Sequence, residues 1–322
     1  QMRNLKRALS LALAAIMLIG MMVVSACAVS YNDLTDKDQI VNKDAVSMLV
    51  SLGIIEGKPD GSYAPTENVD RAQMAKMLSV IMNKGVDNSA LYQSVNSGLT
   101  DITSNWAKGH INYCYTTGII AGRGNGTFDP SATVTALEAA KMLLVAVGYD
   151  PKIEGFEGAD WAINVSVRAD EQGIFEGFTK DLSAPLNRDD AALLIYNALD
   201  VEMIQSYTTN NYPIVYSDHR TILSDKYGVI KVEGVVTANE WAILDDDTDT
   251  ALQEGKTRIY NPDGILSTTG NTAVAQDSSA NVKTQVFNVS TPVDMLGKAV
   301  TMYVKKTTIL ADSTVYGDPV VS

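Results

Sequence analysis

Cysteine and histidine are scarce in this chain, which has two of each among 322 residues. Cys27 lies in a segment that we expect to be removed, so only Cys114 would remain and no internal disulfide can form. His110 and His219 are far apart in sequence, and neither stands in a Cys/His spacing that holds zinc. No Gly-x-Ser-x-Gly motif supplies an activated serine. These absences predict that the chain is not an enzyme.

Basic residues are also in the minority, because 25 Lys and Arg stand against 38 Asp and Glu, a formal net charge of -13. Removal of residues 1–28, which hold Arg3, Lys6 and Arg7 and no acidic residue, takes the charge to -16. Such acidity argues against a nucleic-acid partner. With 46 % apolar and 20 % charged residues, the composition is that of a globular protein with room for two ordinary domains.

An almost unbroken apolar run extends from Ala8 to Val24, behind three basic residues and ahead of small ones. This order is typical of a secretory signal peptide over residues 1–28. A membrane span is the less favoured alternative, because the run is short for ~20 residues and no basic stop-transfer cluster follows. The segment 24–27, with the letters VSAC, also looks like a bacterial lipobox, so a lipid anchor at Cys27 is a second alternative. We expect export to the cell surface.

A 65-residue internal repeat is the strongest signal in the sequence. GIIEGKPDGSYAP at 53–65 returns as GIIAGRGNGTFDP at 118–130. The same offset pairs LTD at 34–36 with LTD at 99–101, and AKML at 75–78 with AKML at 140–143. A third, shorter copy is anchored by Trp161, which stands twelve residues before Gly173 as Trp106 stands before Gly118. We therefore predict three repeats, at about residues 31–85, 96–150 and 151–206.

Each repeat is predicted to form a helix, a turn and a second helix. In the first repeat, an apolar stripe from Ala45 to Leu52 stops at Gly53, and a second stripe runs from 72 to 81. Asp70 is the predicted N-cap of the second helix, with Gln73 completing a capping box. The aromatic residue after each Asp-Gly or Asn-Gly turn is expected to pack inward. One helix pair cannot bury a core, so the copies are predicted to stack into one bundle at 31–206.

From about Tyr207 the pattern changes to β-branched runs at 229–232, 235–237, 257–260 and 300–304. The fold class is therefore predicted as α+β, a helical three-repeat bundle followed by a β-rich domain at 207–322. A turn is expected at 261–264 and a long exposed loop at 267–280. The acidic run 245–249 offers oxygen ligands to Ca²⁺, although a solvated hairpin tip is favoured and no other cofactor is expected. We expect further domains after Ser322.

Taken together, these motifs resemble the S-layer homology (SLH) family of Gram-positive, clostridial-type surface proteins, over about half of the chain. The family's repeats contain Trp-Ala, Gly-Ile-Ile-x-Gly, Asp-Gly-Ser/Thr-Phe and Thr-Arg-Ala-Glu motifs. The last motif stands here as VDRAQ at 69–73, VTALE at 134–138 and LNRDD at 186–190. The resemblance implies a pseudo-threefold bundle whose grooves hold a pyruvylated secondary cell-wall polysaccharide without covalent bonds.

Arg71 and Arg188 are the residues that the resemblance directs toward an anionic sugar, with Asp70 and Gln73 at the same helix start. A guanidinium can hold a carboxylate by two hydrogen bonds, and a helix N-terminus adds free N–H groups. The alternative is a surface ion pair with a neighbour such as Asp189, which would contribute little. Ala136 takes the place of the arginine in the second repeat, and the acidic pair 189–190 would repel an acidic sugar. Two of the three grooves are thus in doubt.

Trp106 and Trp161 offer aromatic faces on which a sugar ring can stack, although core packing is the commoner role of a large aromatic on a helix and is favoured for both. Gly61 and Gly126 are expected to border the grooves, together with the glycines at 122 and 124, and turn formation explains all four equally well.

Three functions remain open at this level. The favoured one is anchoring of a secreted surface protein to the cell wall. The alternatives are a structural subunit that self-associates in a surface layer with weak or no glycan binding, and the attachment module of a wall hydrolase whose catalytic domain lies beyond Ser322.

Overall fold

The fold is taken from a computed structural model, which describes residues 30–244, 251–262 and 283–305. The predicted signal peptide with Cys27, the acidic run 245–249 and the loop 267–280 lie outside the described residues. The helices are α1 (Lys43–Ser51), α2 (Arg71–Met82), α3 (Lys108–Thr116), α4 (Ala136–Val147), α5 (Trp161–Glu171), α6 (Arg188–Leu199) and α7 (Ile222–Tyr227), with 3₁₀ turns at Tyr31–Asp33, Lys37–Gln39, Ser89–Tyr92 and Val293–Met295. Over these ranges, no helix combines the length and the apolar character that a bilayer crossing needs.

The second helix of each predicted repeat begins at a polar N-cap. The side chains of Asp70, Thr135 and Asn187 accept the backbone N–H three residues further on, at 2.7, 3.2 and 2.8 Å. The predicted capping box at Asp70 is confirmed, because the side-chain oxygen of Gln73 accepts the Asp70 N–H at 3.0 Å. These caps satisfy N–H groups that the first helical turn leaves without partners.

An aspartate from each of the two LTD motifs fixes the turn that follows the first helix of its repeat. The Asp36 carboxylate accepts the N–H groups of Tyr63 and Ala64 at 2.7 and 2.8 Å. Asp101 does the same for Phe128 and Asp129, at 2.9 and 2.7 Å. The second residue of each pair has a positive φ, 58° and 62°, which the two charge-assisted bonds help to hold. The aromatic residues are buried, as predicted.

The three helix pairs meet in a closed ring of backbone hydrogen bonds. Val69 donates to the Leu186 carbonyl at 2.8 Å, Leu186 donates to Val134 at 2.7 Å, and Val134 donates back to Val69 at 2.9 Å. All three side chains are buried. Outside the ring, α2 packs on α3, α4 packs on α5, and α6 packs on α1, so the last pair closes onto the first.

Two antiparallel sheets follow the helices, so the described chain mixes helices and sheets as predicted. The strands are β1 (Ile204–Tyr207), β2 (Pro213–Val215), β3 (Val229–Ala238), β4 (Thr257–Tyr260), β5 (Thr284–Phe287) and β6 (Ala299–Lys305), with β1 paired to β2 and the larger sheet ordered β5-β4-β3-β6. Strand structure thus begins slightly before Tyr207. The short helix α7 was not predicted; Thr221 caps its start, and Gly228, with φ 62°, ends it. The Tyr227 hydroxyl bonds to the Ile81 carbonyl and joins this region to the helices.

Cys114 is completely buried in α3, and burial raises the pKa of its thiol. The thiolate is the reactive form, so reaction is disfavoured both because the sulfur is inaccessible and because the thiol does not ionise readily. In a protein that starts at Val29 and therefore has this single cysteine, we expect a disulfide reagent to label the native state at least ~100-fold more slowly than the unfolded state. Rapid labelling of the folded protein would show that α3 opens readily.

Candidate functional site

The Arg71 groove is a cleft of about 560 Å³. We define it by Arg71 from the start of α2, the loop 119–124, the α4 side chains Glu138, Lys141 and Met142, and the segment 156–161 that ends in Trp161. Three cations and two carboxylates, those of Glu138 and Glu157, line it. Arg123 bonds to Glu138 at 3.0 Å, whereas the Lys141 ammonium lies 5.6 Å from the centre of the Trp161 ring.

The Arg188 groove is a smaller cleft of about 260 Å³ on another face of the ring. Arg188 comes from the start of α6, the loop 54–59 follows α1, and α2 contributes Gln73, Lys76 and Met77; Trp106 closes the far side. Lys76 lies 3.4 Å from Glu56, and Lys58 pairs with Glu67 outside the cleft. Cations outnumber carboxylates in this groove too.

Each groove draws on all three helix pairs. In the Arg71 groove, the first pair gives the arginine, the second gives the loop and the lysine, and the third gives Trp161. In the Arg188 groove, the third pair gives the arginine, the first gives the loop and the lysine, and the second gives Trp106. The grooves are therefore related by one step around the ring.

In both arginines, one edge of the guanidinium donates hydrogen bonds to backbone carbonyls. Arg71 donates from Nε to the Phe128 carbonyl at 2.8 Å and from Nη2 to Ala121 at 2.9 Å, and it stacks 4.4 Å above the Phe128 ring. Arg188 repeats the pattern, donating to Tyr63 at 2.7 Å and to Glu56 at 3.3 Å. The predicted two-bond grip of a carboxylate would have to use the Nη1 edge, which in Arg71 already lies 4.0 Å from the Glu138 carboxylate. Each arginine thus holds a loop as well as lining a cleft.

The alternative to ligand contact, an ion pair with a neighbouring carboxylate, is not found between Arg188 and Asp189, whereas Arg71 lies 4.0 Å from the Glu138 carboxylate. The Asp189 carboxylate accepts the backbone and side-chain N–H groups of Asn42, and Asp190 pairs with Lys180. Both aspartates are buried, and neither lines the Arg188 groove. We therefore expect less repulsion of an acidic sugar at this groove than the sequence indicated, because Lys180 offsets the charge of Asp190 and the Asp189 carboxylate faces Asn42.

The third junction of the ring lacks the features of the other two. Ala136 is fully buried where an arginine stands in the other pairs, so this junction has no guanidinium, as the sequence indicated. By the 65-residue offset, Val41 takes the place of Trp106, and it is 82 % exposed. Leu193 takes the place of Lys76 and Lys141.

Core packing, the favoured sequence interpretation of the two tryptophans, is wrong for Trp106, which is 57 % exposed. Trp161 is half-buried and lies beside Lys141. Of the other predicted site residues, Gln73 lines the Arg188 groove, whereas Asp70 is occupied as an N-cap and lines neither groove. Gly61 and Gly126, with φ 81° and 82°, form the turns and also lie outside both linings.

Lys76 and Lys141 are two groove cations that sequence reasoning missed, as it also missed Lys58 and Arg123 in the loops. Lys76 and Lys141 occupy the same position of the repeated AKML segment, which was interpreted only as a core stripe. Burial lowers the pKa of Lys141, and burial, together with the nearby Arg123, lowers the pKa of Arg71 to about 10. Both groups remain cationic at neutral pH, in a site that is partly shielded from water and so strengthens their attraction for an anion.

No cluster of His, Cys, Asp and Glu suited to a metal ion occurs in the part of the chain that the structure describes. The acidic run 245–249, which was considered for Ca²⁺, lies outside that part.

Known proteins are similar to this chain in sequence. Residues 30–75 and 98–140 match the family model of the S-layer homology domain. A "Cell surface protein" of Thermoanaerobacter kivui is 29 % identical over 273 residues, 83 % of this chain and 32 % of that protein. An "S-layer protein" of Bacillus licheniformis is 33 % identical over 113 residues, 35 % of this chain and 12 % of that protein. An "Uncharacterized cell wall amidase" of Bacillus anthracis is 30 % identical over 101 residues, 31 % and 18 % respectively. The chain spans about a third or less of these relatives' length.

Proposed function

We propose that this chain, two segments of which match the S-layer homology domain, is held on the bacterial cell wall, without covalent bonds, by two grooves that bind an anionic wall polysaccharide. The observation that carries the proposal is the gathering of cations in two clefts of a protein whose net charge is -13. A cleft that stays cationic on an acidic protein selects for anions by charge complementarity.

The chemistry of the two linings supports a carboxylate-bearing sugar polymer. Lys141 and the Nη1 edges of Arg71 and Arg188 can meet carboxylates, while Trp106 and Trp161 present flat apolar faces to the C–H side of a sugar ring. Because a polymer repeats its unit, one chain or two neighbouring chains can occupy both grooves. Two weak contacts then combine into a stronger attachment.

Residues 151–206 complete the proposal as a divergent third S-layer homology repeat. The closed ring of backbone hydrogen bonds supports this assignment, because Leu186 bonds to both other repeats. The Trp161 contribution to the Arg71 groove supports it as well. In this view the third repeat supplies parts to two grooves, although its own junction with the second repeat has no guanidinium.

Export through the signal peptide at 1–28 is part of the same proposal, and so is the absence of an active site in this chain. Two other roles are compatible with the names of the relatives. The match to an S-layer protein is compatible with a structural subunit that self-associates, and the match to a cell wall amidase is compatible with the attachment module of a hydrolase. Both roles use the same wall attachment, so the attachment is what needs to be tested first.

We expect the chain from Val29 onward to sediment with isolated Gram-positive cell walls, and to stay in the supernatant after the wall polysaccharide has been stripped from them. Bound and free protein can be measured by densitometry over a range of protein concentrations. High salt should release the bound fraction, because it screens charge. Equal sedimentation with intact and stripped walls would refute attachment through the polysaccharide.

A further inference from the structure

A buried histidine lies directly behind the wall of the Arg188 groove. His110, on α3, is 3 % exposed, and its Nδ1 lies 2.6 Å from the Ser79 hydroxyl oxygen on α2. Its Nε2 lies 3.6 Å from the Asp87 carboxylate. The Trp106 ring meets the imidazole edge-on, with 6.3 Å between the centroids. The imidazole therefore packs against the inner side of Trp106, and a ligand in the groove would lie on the outer side of the same ring.

The charged groups that face His110 are Lys76 on α2 and Asp87 on the following loop. Asp87 favours an imidazolium, whereas Lys76 and burial disfavour it, and burial is the largest effect, so the pKa of His110 is lowered from its ordinary value. The imidazole is consequently mostly neutral at pH 7 and takes up a proton only at a lower pH than an ordinary histidine does. An anion next to Lys76 would oppose this effect, since it offsets the positive charge that faces His110.

The other junctions of the ring have no titratable counterpart of this histidine. The repeat offsets place Val165 and Leu144 where His110 and Ser79 stand, and both are fully buried apolar residues behind the Arg71 groove. At the third junction the same positions carry Ala45 and Tyr196. Protonation of a residue directly behind the groove wall is thus specific to the Arg188 groove. The Arg71 groove serves as an internal control, because the same position behind its wall is apolar.

We infer that His110 is a positioning residue of the Arg188 groove, which strengthens the hold of that groove on an anion when the imidazole accepts a proton. This inference rests on the proposed function. With the proton bound, both ring nitrogens donate, one to Ser79 and one to Asp87, and the Ser79 hydroxyl donates to the Lys76 carbonyl at 3.0 Å. The added charge lies directly behind the groove wall, where water screens it poorly.

The expected effect is a gain of about two- to fivefold in affinity of the Arg188 groove when the pH is lowered from 7.5 until His110 is protonated, the size expected for one added charge at intermediate effective dielectric. A sugar carboxylate stays ionised in this range, since carboxyl groups of this kind titrate near pH ~3.5. By linkage, the bound anion must raise the pKa of His110 by the logarithm of the same factor, about 0.3 to 0.7.

The binding test uses the chain from Val29 onward and isolated Gram-positive walls, with stripped walls as the blank. Lys141→Glu disables the Arg71 groove, and in this variant we expect the full two- to fivefold gain on acidification. Adding His110→Gln, which keeps a hydrogen-bonding side chain beside Ser79, should make binding independent of pH. His219→Gln is the matched control, because His219 is exposed and pairs with Glu202 far from either groove.

A second measurement tests the inference without any substitution, and so it applies even if the His110→Gln variant fails to fold. The chain has only two histidines, so the imidazole resonances of the unmutated protein can be followed by NMR with and without soluble polysaccharide released from the same walls. The pKa of His110 should rise on binding, and the His219 resonances, which serve as the control, should not move when polysaccharide is added. Wall binding that keeps its pH dependence without His110, or a His110 pKa that binding leaves unchanged, overturns the inference and leaves the proposed function intact. Absence of binding to intact walls both before and after acidification overturns both.

Discussion

Replacing Lys76 and Lys141 together by glutamate is expected to weaken wall binding at least ~100-fold, because each substitution turns a groove cation into an anion that repels an acidic polymer. Each single variant should lose about tenfold, since the other groove still holds. The fold should be nearly unaffected. Lys76 is in a largely exposed pair with Glu56, and Lys141 lies over the Trp161 ring at the open side of the groove, so we expect each to contribute about 1 kcal/mol or less to stability.

The matched control is the double variant Lys84→Glu and Lys152→Glu. It changes the net charge by the same amount, and both lysines are exposed and outside the two grooves. Wall sedimentation and the midpoint of urea unfolding should be measured for both double variants. If the control variant loses as much binding as the groove variant, overall charge governs attachment and the grooves have no special role. The lysines are preferred to the arginines here because Arg71→Ala or Arg188→Ala would also release the carbonyls that hold a loop.

Phe128→Ala is expected to lower the free energy of unfolding by about 3–5 kcal/mol, the usual cost of emptying a fully buried phenylalanine site. The ring is completely buried, and it supports the Arg71 guanidinium at 4.4 Å. The substitution should therefore also disorder the position of Arg71 and weaken the Arg71 groove. Urea unfolding followed by circular dichroism measures the first effect, and wall sedimentation measures the second.

Phe178→Ala is the comparison for this variant. Phe178 is only partly buried and lies in the loop of the third pair, which contributes to neither groove lining. We expect it to cost about 1–2 kcal/mol and to leave wall binding unchanged. A similar loss of stability in both variants would mean that the Phe128 site collapses and fills its own cavity.

The helices were predictable because their signals are local. The stripe from 72 to 81 and the Asp70–Gln73 box lie within twelve residues of sequence, and they determine α2 without reference to any distant residue. The inward aromatic after each turn was predictable for the same reason. The short helix α7 was not, because six residues offer too little periodicity.

The grooves were only partly predictable, because each is built from residues of three separate helix pairs. Sequence motifs indicated the arginines, yet they gave no sign that Arg71 would bond to Ala121 or that Arg188 would bond to Glu56, 132 residues away. The same limitation affected Trp106, whose exposure depends on what the neighbouring pair leaves uncovered. The lysine at 76 recurs at 141, whereas Leu193 stands at the same place in the third helix pair. This recurrence was a detectable signal, but it was overlooked because both lysines lie within segments that were interpreted as apolar core stripes.

The hydrogen bonds through Val69, Leu186 and Val134 form a closed cycle, so each of the three residues has one neighbour on either side and none lies at an end. A linear array of repeats can be lengthened by one more copy, but this arrangement cannot, since every donor and acceptor at its centre is already engaged. The number of helix pairs in the ring is thereby set by closure. Truncation after the second helix pair would leave the buried Val69 amide and Val134 carbonyl without partners, and circular permutation between two helix pairs would leave the same contacts to be made.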